Sequence, residues 1–133
     1  MKLQRIGLIG HGEVGKTFAS GLKDKPGVTA IGAWDLKFAD PQTRDAELDH
    51  CARHGITAHG SLKELCENSD LVISAVTASN TLAVAQEAAP FIRAGAVFLD
   101  LNSASPGTKQ QAAALIDAAG AFYVEAGVMT LMP

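Results

Sequence analysis

Two cysteines in 133 residues, Cys51 and Cys66, are too few for a disulfide framework. They fit a reducing cytoplasm, where small buried thiols are ordinary core residues. No apolar run approaches the roughly 18 residues that a membrane span needs. Neither sign of charge dominates: the formal net charge is -3, with acids and bases scattered along the chain. Nucleic acid or an anionic membrane would want a basic patch, so neither is the expected partner. The opening has a base and an apolar run, but glycines and Glu13 interrupt it, which argues against a signal peptide. Internal linkers, repeats and low-complexity tracts are also missing.

What is present is a globular chain, 47% hydrophobic and 19% charged, long enough for one domain with a core. Apolar runs at Leu3 to Gly10, Val28 to Trp34, Ile56 to Ala58, Leu71 to Val76, Ala96 to Leu101 and Ala121 to Glu125 read as six strands. Between them lie helical patterns at Glu13 to Lys23, Arg44 to about His54, Ser61 to Glu67, Asn80 to Ala89 and Ser105 to Ala119. Thr43 is an N-cap for the second helix and Gly55 its C′ glycine. Ser61 and Glu64 form a capping box, and Ser105-Pro106 an N-cap and N1 pair. Lys37 to Gln42 reads as a polar loop. Short alternating strands and helices mean right-handed crossovers: an α/β, Rossmann-type doubly wound, mostly parallel sheet of about six strands.

Gly10-His11-Gly12-Glu13-Val14-Gly15-Lys16-Thr17 fits two phosphate-binding patterns. Through Gly10, Gly12 and Gly15 it is the dinucleotide fingerprint G-x-G-x-x-G. Through Gly10, Gly15, Lys16 and Thr17 it is also a Walker A loop of a nucleotide triphosphatase. Both use glycines to admit phosphate and a helix start to offer N–H groups. Three features favour the dinucleotide. Asp35 ends the second strand twenty residues after Gly15, where an acid accepts ribose hydroxyls. Glu13 inside a Walker loop would face several phosphate charges, whereas at a dinucleotide turn it can point outward. Gly15 and Ala19 share a helix face and let the helix lie close on the sheet. Against this, Ala96 to Asp100 has the form of a Walker B strand.

The second half of the chain adds to this. The sequence resembles the β-hydroxyacid dehydrogenase superfamily, which includes 3-hydroxyisobutyrate and 6-phosphogluconate dehydrogenases. The likeness runs through Ile6 to Gly15, Asp70 to Thr77, Asp100-Leu101-Asn102-Ser103-Ala104-Ser105-Pro106 and Tyr123 to Val128. It implies a cofactor domain of an NAD(P)-dependent oxidoreductase. Its substrate is expected to be a small molecule resembling a hydroxyacid. The family's serine and two glycines that hold a substrate carboxylate are replaced by Met129, Thr130 and Leu131. The family's catalytic lysine comes from a helical second domain that these 133 residues do not include. No catalytic residue is therefore assigned, and the chain alone is expected to lack turnover. A homodimer of the full-length form is compatible with the resemblance.

On this reading Gly10, Gly12 and Gly15 shape the pyrophosphate turn, with the N–H groups of Glu13 and Val14 on phosphate. His11 borders the cofactor without chemistry. Asp35 disfavours a 2′-phosphate, which points to NAD over NADP; Lys37 and Arg44 are near enough in sequence to keep NADP open. Val76 and Thr77 pack against the cofactor. Asn102, Ser103 and Ala104 face the substrate, with Ser103 also at the nicotinamide end. His50, His54 and Glu47 share a helix face near His59. A solvated face explains them better than a metal site, and no metal is expected. Lys109 reads as a surface lysine, and Lys16-Thr17 as an accidental extension of the helix. Two other readings stay open: a P-loop triphosphatase, and a module that senses dinucleotide without catalysis.

Overall fold

Strands that are apolar on both faces need helices on both faces, and that is what the chain builds. The computed structural model describes residues 4–125, without the side chain of Glu13. The strands are β1 (Arg5–Ile9), β2 (Ala30–Trp34), β3 (Thr57–Ala58), β4 (Leu71–Ser74), β5 (Val97–Asp100) and β6 (Phe122–Glu125). They form one sheet in the order β3-β2-β1-β4-β5-β6, with every pairing parallel. The helices are α1 (Glu13–Leu22), α2 (Arg44–His54), α3 (Leu62–Glu67), α4 (Thr81–Ala88) and α5 (Pro106–Ala118). The strand order reverses between β1 and β4. In such sheets that reversal opens a crevice at the carboxyl ends of the strands.

Alternation along each strand sorts the core into two layers. Ile6 and Leu8 of β1 join Ile31, Phe38, Ile56 and Ile73 in one layer. Ile9 joins Leu65, Val72, Val84, Phe98 and Ile116 in the other. Both cysteines are free and buried. At the amino edge of the sheet, Asp70 accepts from the Arg5 N–H at 3.0 Å and pairs with the guanidiniums of Arg5 and Arg93.

Most terminal signals act as read. Ser61 Oγ accepts from the Glu64 N–H, and Ser105 Oγ from the Thr108 N–H. Gly55 ends α2 at φ 68°, a left-handed position where a Cβ is penalised. Three expectations need correcting. Thr43 makes no side-chain cap to α2; its hydroxyl donates instead to the Lys37 carbonyl at 2.8 Å. The stretch read as a polar loop, Lys37 to Gln42, begins inside a one-turn 3-10 helix, Leu36–Phe38, whose Phe38 is buried. Lys109 is 6% exposed, not on the surface. Its ammonium pairs with Glu125 at 3.2 Å on the neighbouring strand, which a lysine stem lying over apolar surface permits.

Candidate dinucleotide site

The turn between β1 and α1 is the centre of the site. Gly10 has φ +97°, and a Cβ there would lie 2.2 Å from the Ala75 carbonyl oxygen of the neighbouring crossover. A Cβ at Gly15 would lie 2.1 Å from the Gly10 carbonyl oxygen. These two glycines are therefore demanded by the chain itself. Gly15 is needed by its own turn, while Ala19 supplies the buried contact of α1. Gly12 is different: a Cβ there would meet nothing within 4 Å. The space in front of Gly12 is open and belongs to the cleft described next.

A cleft of about 450 Å³ runs from this turn to the end of β2. Its walls include Gly10, Gly12, Val14, Asp35, Val76 and Thr77, all of them expected from the sequence. Trp34, Lys37 and Ala75 line it too, and sequence reasoning missed Leu36, Asn80, Ala83, Val84 and Glu87. The last four recur at 80, 83, 84 and 87, which is one face of a helix, and that spacing was a signal. A second hollow of about 320 Å³ continues on the other side of Val14 and Val76, reaching Asn102 and Ser103. Val14, Ala75 and Val76 line both hollows, so the two adjoin at the switch point. Glu13 opens α1, and its side chain lies outside the described residues. Ala104 is half-buried just beyond Ser103. The positions 129–131, where the family's carboxylate-binding pattern fails, also lie outside the described residues.

Asp35 has two duties. One carboxylate oxygen accepts from the His11 N–H at 2.7 Å, and the other from the Lys37 N–H at 2.9 Å. A carboxylate has about four acceptor sites, so Asp35 braces the turn and still has capacity for hydroxyls in the cleft. Asn102 is more fully committed. Its side chain is 4% exposed. Its carbonyl accepts from the Val76 N–H at 2.7 Å and its amide donates to Ser74 Oγ at 3.0 Å. Asn102 thus ties the loop after β5 to the loop after β4. Ser103 is exposed and lines the second hollow beside Asn102.

His11 departs from expectation. Its ring is fully buried, turned from the cleft toward Phe38 and His50. Its Nδ1 lies 3.5 Å from a Glu47 oxygen, without hydrogen-bond geometry. Burial holds the imidazole below its ordinary pKa, with Glu47 pulling the other way. The helix face carrying Glu47 is not simply solvated either. Glu47 is 9% exposed, with Lys16 at 3.2 Å and Lys37 at 3.1 Å. Burial works against its charge, yet the hydrogen bonds from Lys37 and Lys16 outweigh it and keep the carboxyl below its ordinary range. The His50 and His54 rings lie 4.3 Å apart, tilted by 36°. His59 is elsewhere, buried beside Gly32 and paired with Glu64.

These contacts also decide between the two phosphate loops. Lys16 and Thr17 face a groove shared with His50 and His54 of α2, and the Lys16 ammonium is held by Glu47. A Walker lysine has to reach phosphates in front of the turn. The proposed Walker B acid, Asp100, is fully buried. Its oxygens accept from the Asn102 N–H and the Tyr123 hydroxyl, so it braces strands where a metal ligand was the alternative.

Comparison with known proteins agrees with this geometry. Residues 5–130 match the family described as the NAD binding domain of 6-phosphogluconate dehydrogenase. An uncharacterised 28.5 kDa protein of Methanothermus fervidus is 34% identical over 113 residues, covering 85% of this chain and 41% of that one. A conserved hypothetical protein of Sinorhizobium meliloti 1021, with a solved structure, is 35% identical with a TM-score of 0.87, covering 96% and 42%. The 3-hydroxyisobutyrate dehydrogenase of Mycobacterium tuberculosis, solved with L-serine, has the same fold at 19% identity and a TM-score of 0.79, covering 94% and 40%. The chain spans about two fifths of the length of each of these relatives. By its match over residues 5–130, the chain belongs to the family of 6-phosphogluconate dehydrogenase NAD-binding domains.

Proposed function

We infer that this domain binds NAD(H) in preference to NADP(H) and serves hydride transfer to or from a small hydroxyacid-like or imine-like carbon. The single observation behind the binding mode is the Gly12 cradle, open to outside groups between two glycines that the chain needs for itself. Asp35 at the adenosine end supports NAD: its carboxylate welcomes ribose hydroxyls and repels a 2′-phosphate. The turn offers the N–H groups of Glu13 and Val14 at the start of α1 to the pyrophosphate, and Val76 and Thr77 supply apolar wall. The nicotinamide, when bound, supplies or accepts the hydride, and the protein's part is to orient it. Asn102 sets the position of the loop carrying Ser103 and Ala104, which we assign to the substrate side.

Trp34 is the single tryptophan and lines the cleft beside Asp35, which makes it the reporter. Titration with NADH should quench Trp34 and sensitise nicotinamide emission, while magnesium-ATP should do neither. Tight ATP binding with no NADH or NADPH signal would overturn the reading.

A further inference from the structure

Lys37 follows the ribose-binding acid by two residues, and its cation is where a 2′-phosphate would look for one. The structure ties it down instead. Its N–H donates to Asp35, and its carbonyl accepts from the Thr43 hydroxyl at 2.8 Å. Its ammonium folds back to the His11 carbonyl at 3.3 Å and to Glu47 at 3.1 Å. Glu47 reaches this point from the buried face of α2, ten residues along the chain. Lys16 of α1 shares the same carboxylate at 3.2 Å.

We propose that Glu47 is a positioning residue for cofactor selectivity: it holds the Lys37 ammonium under the glycine turn and so withholds it from the ribose 2′-phosphate of NADP(H). The proposal rests on the dinucleotide reading above. Selectivity then has two parts. Asp35 repels the phosphate directly, and Glu47 removes the nearby cation that would offset that repulsion. Glu47 acts without touching either cofactor, through a carboxylate that is itself almost wholly inside the protein.

The test compares NADH and NADPH dissociation constants by Trp34 quenching in the native chain, in Glu47→Gln, and in Glu47→Gln with Lys37→Ala. Freeing one charge-assisted contact for the phosphate should improve NADPH relative to NADH about tenfold in Glu47→Gln. Lys37→Ala in that background should remove the gain. A relative affinity unmoved by Glu47→Gln, or a gain that survives Lys37→Ala, overturns the proposal, because a purely structural role for Glu47 would weaken both cofactors together. Circular dichroism checks that each variant folds. If Glu47→Gln does not fold, Glu47→Asp retracts the carboxylate by one methylene. It should move the ratio the same way by less, again cancelled by Lys37→Ala; no movement overturns the proposal. A native chain that binds neither cofactor overturns the dinucleotide reading and this inference with it, a result distinct from NADH binding with an unmoved ratio.

Discussion

Two polar networks hold the carboxyl edge of the sheet, and they are built on different principles. On the β2 side, Asp35, Glu47, Lys16 and Lys37 form a charged cluster whose lysine side chains are 33% and 37% exposed. On the β4–β6 side, Asp100, Tyr123, Asn102 and Ser74 form a network with a single carboxylate, largely sealed from water. Partly exposed ion pairs lose little when broken, because water replaces the partner. Sealed hydrogen bonds lose much, because nothing does. The β4–β6 network is therefore the fixed frame. The β2 network is the adjustable part, at the end of the cleft proposed to hold the adenosine ribose.

That contrast is broken most severely at Asp100. Asp100→Ala strands the Tyr123 hydroxyl and the Asn102 N–H and should cost about 3 kcal/mol in denaturant unfolding. A loss below that of Glu47→Gln would put the rigid frame elsewhere. Glu47→Gln should cost less, about 1–2 kcal/mol, since Lys16 and Lys37 regain solvent while the side chain at position 47 stays buried. Its acid dependence should also flatten. A carboxyl with a depressed folded pKa contributes stability above its ordinary 4.5 that is lost as pH falls through the folded value.

Tyr123→Phe leaves an oxygen of the buried Asp100 without its donor and should cost about 2 kcal/mol, with a signature at the other end of the pH scale. Burial, then the hydrogen bond to Asp100, raises the Tyr123 pKa well above its ordinary 10.0. The folded state keeps a proton that the unfolded chain releases, so stability should fall once pH rises past 10.0. This fall should be smaller in Tyr123→Phe. As the single tyrosine in the chain, its ultraviolet titration is unambiguous.

The same contrast explains what the sequence revealed. Strand and helix positions follow from local periodicity. The Ser105-Pro106 start of α5 and the Gly55 stop of α2 need only neighbouring residues, and both were legible. Gly10, Gly12, Gly15 and Asp35 fall at the β1–α1 turn and the end of β2, as their spacing led one to expect, because that spacing is itself local. Glu47, His11 and Lys109 were not legible. Glu47 is buried because Lys16, 31 residues earlier, and Lys37, ten residues earlier, are brought to it. Lys109 is buried because Glu125 arrives on β6, sixteen residues later. A polar residue on a helix looks solvated until its distant partner is known. Thr43 shows the same limit at short range: its hydroxyl chose a carbonyl six residues back over the helix start.

The smallest effect on stability should come from Gly12, the residue proposed to admit the pyrophosphate. Gly12 has φ -85° and ψ -160°, which alanine adopts, and open space where a Cβ would stand. Gly12→Ala should leave unfolding within about 0.5 kcal/mol of the native chain, while NADH affinity, read by Trp34 quenching, falls at least about tenfold because the methyl occupies the pyrophosphate cradle. Unchanged NADH affinity in a folded Gly12→Ala chain would contradict the assignment of this turn as the cofactor site.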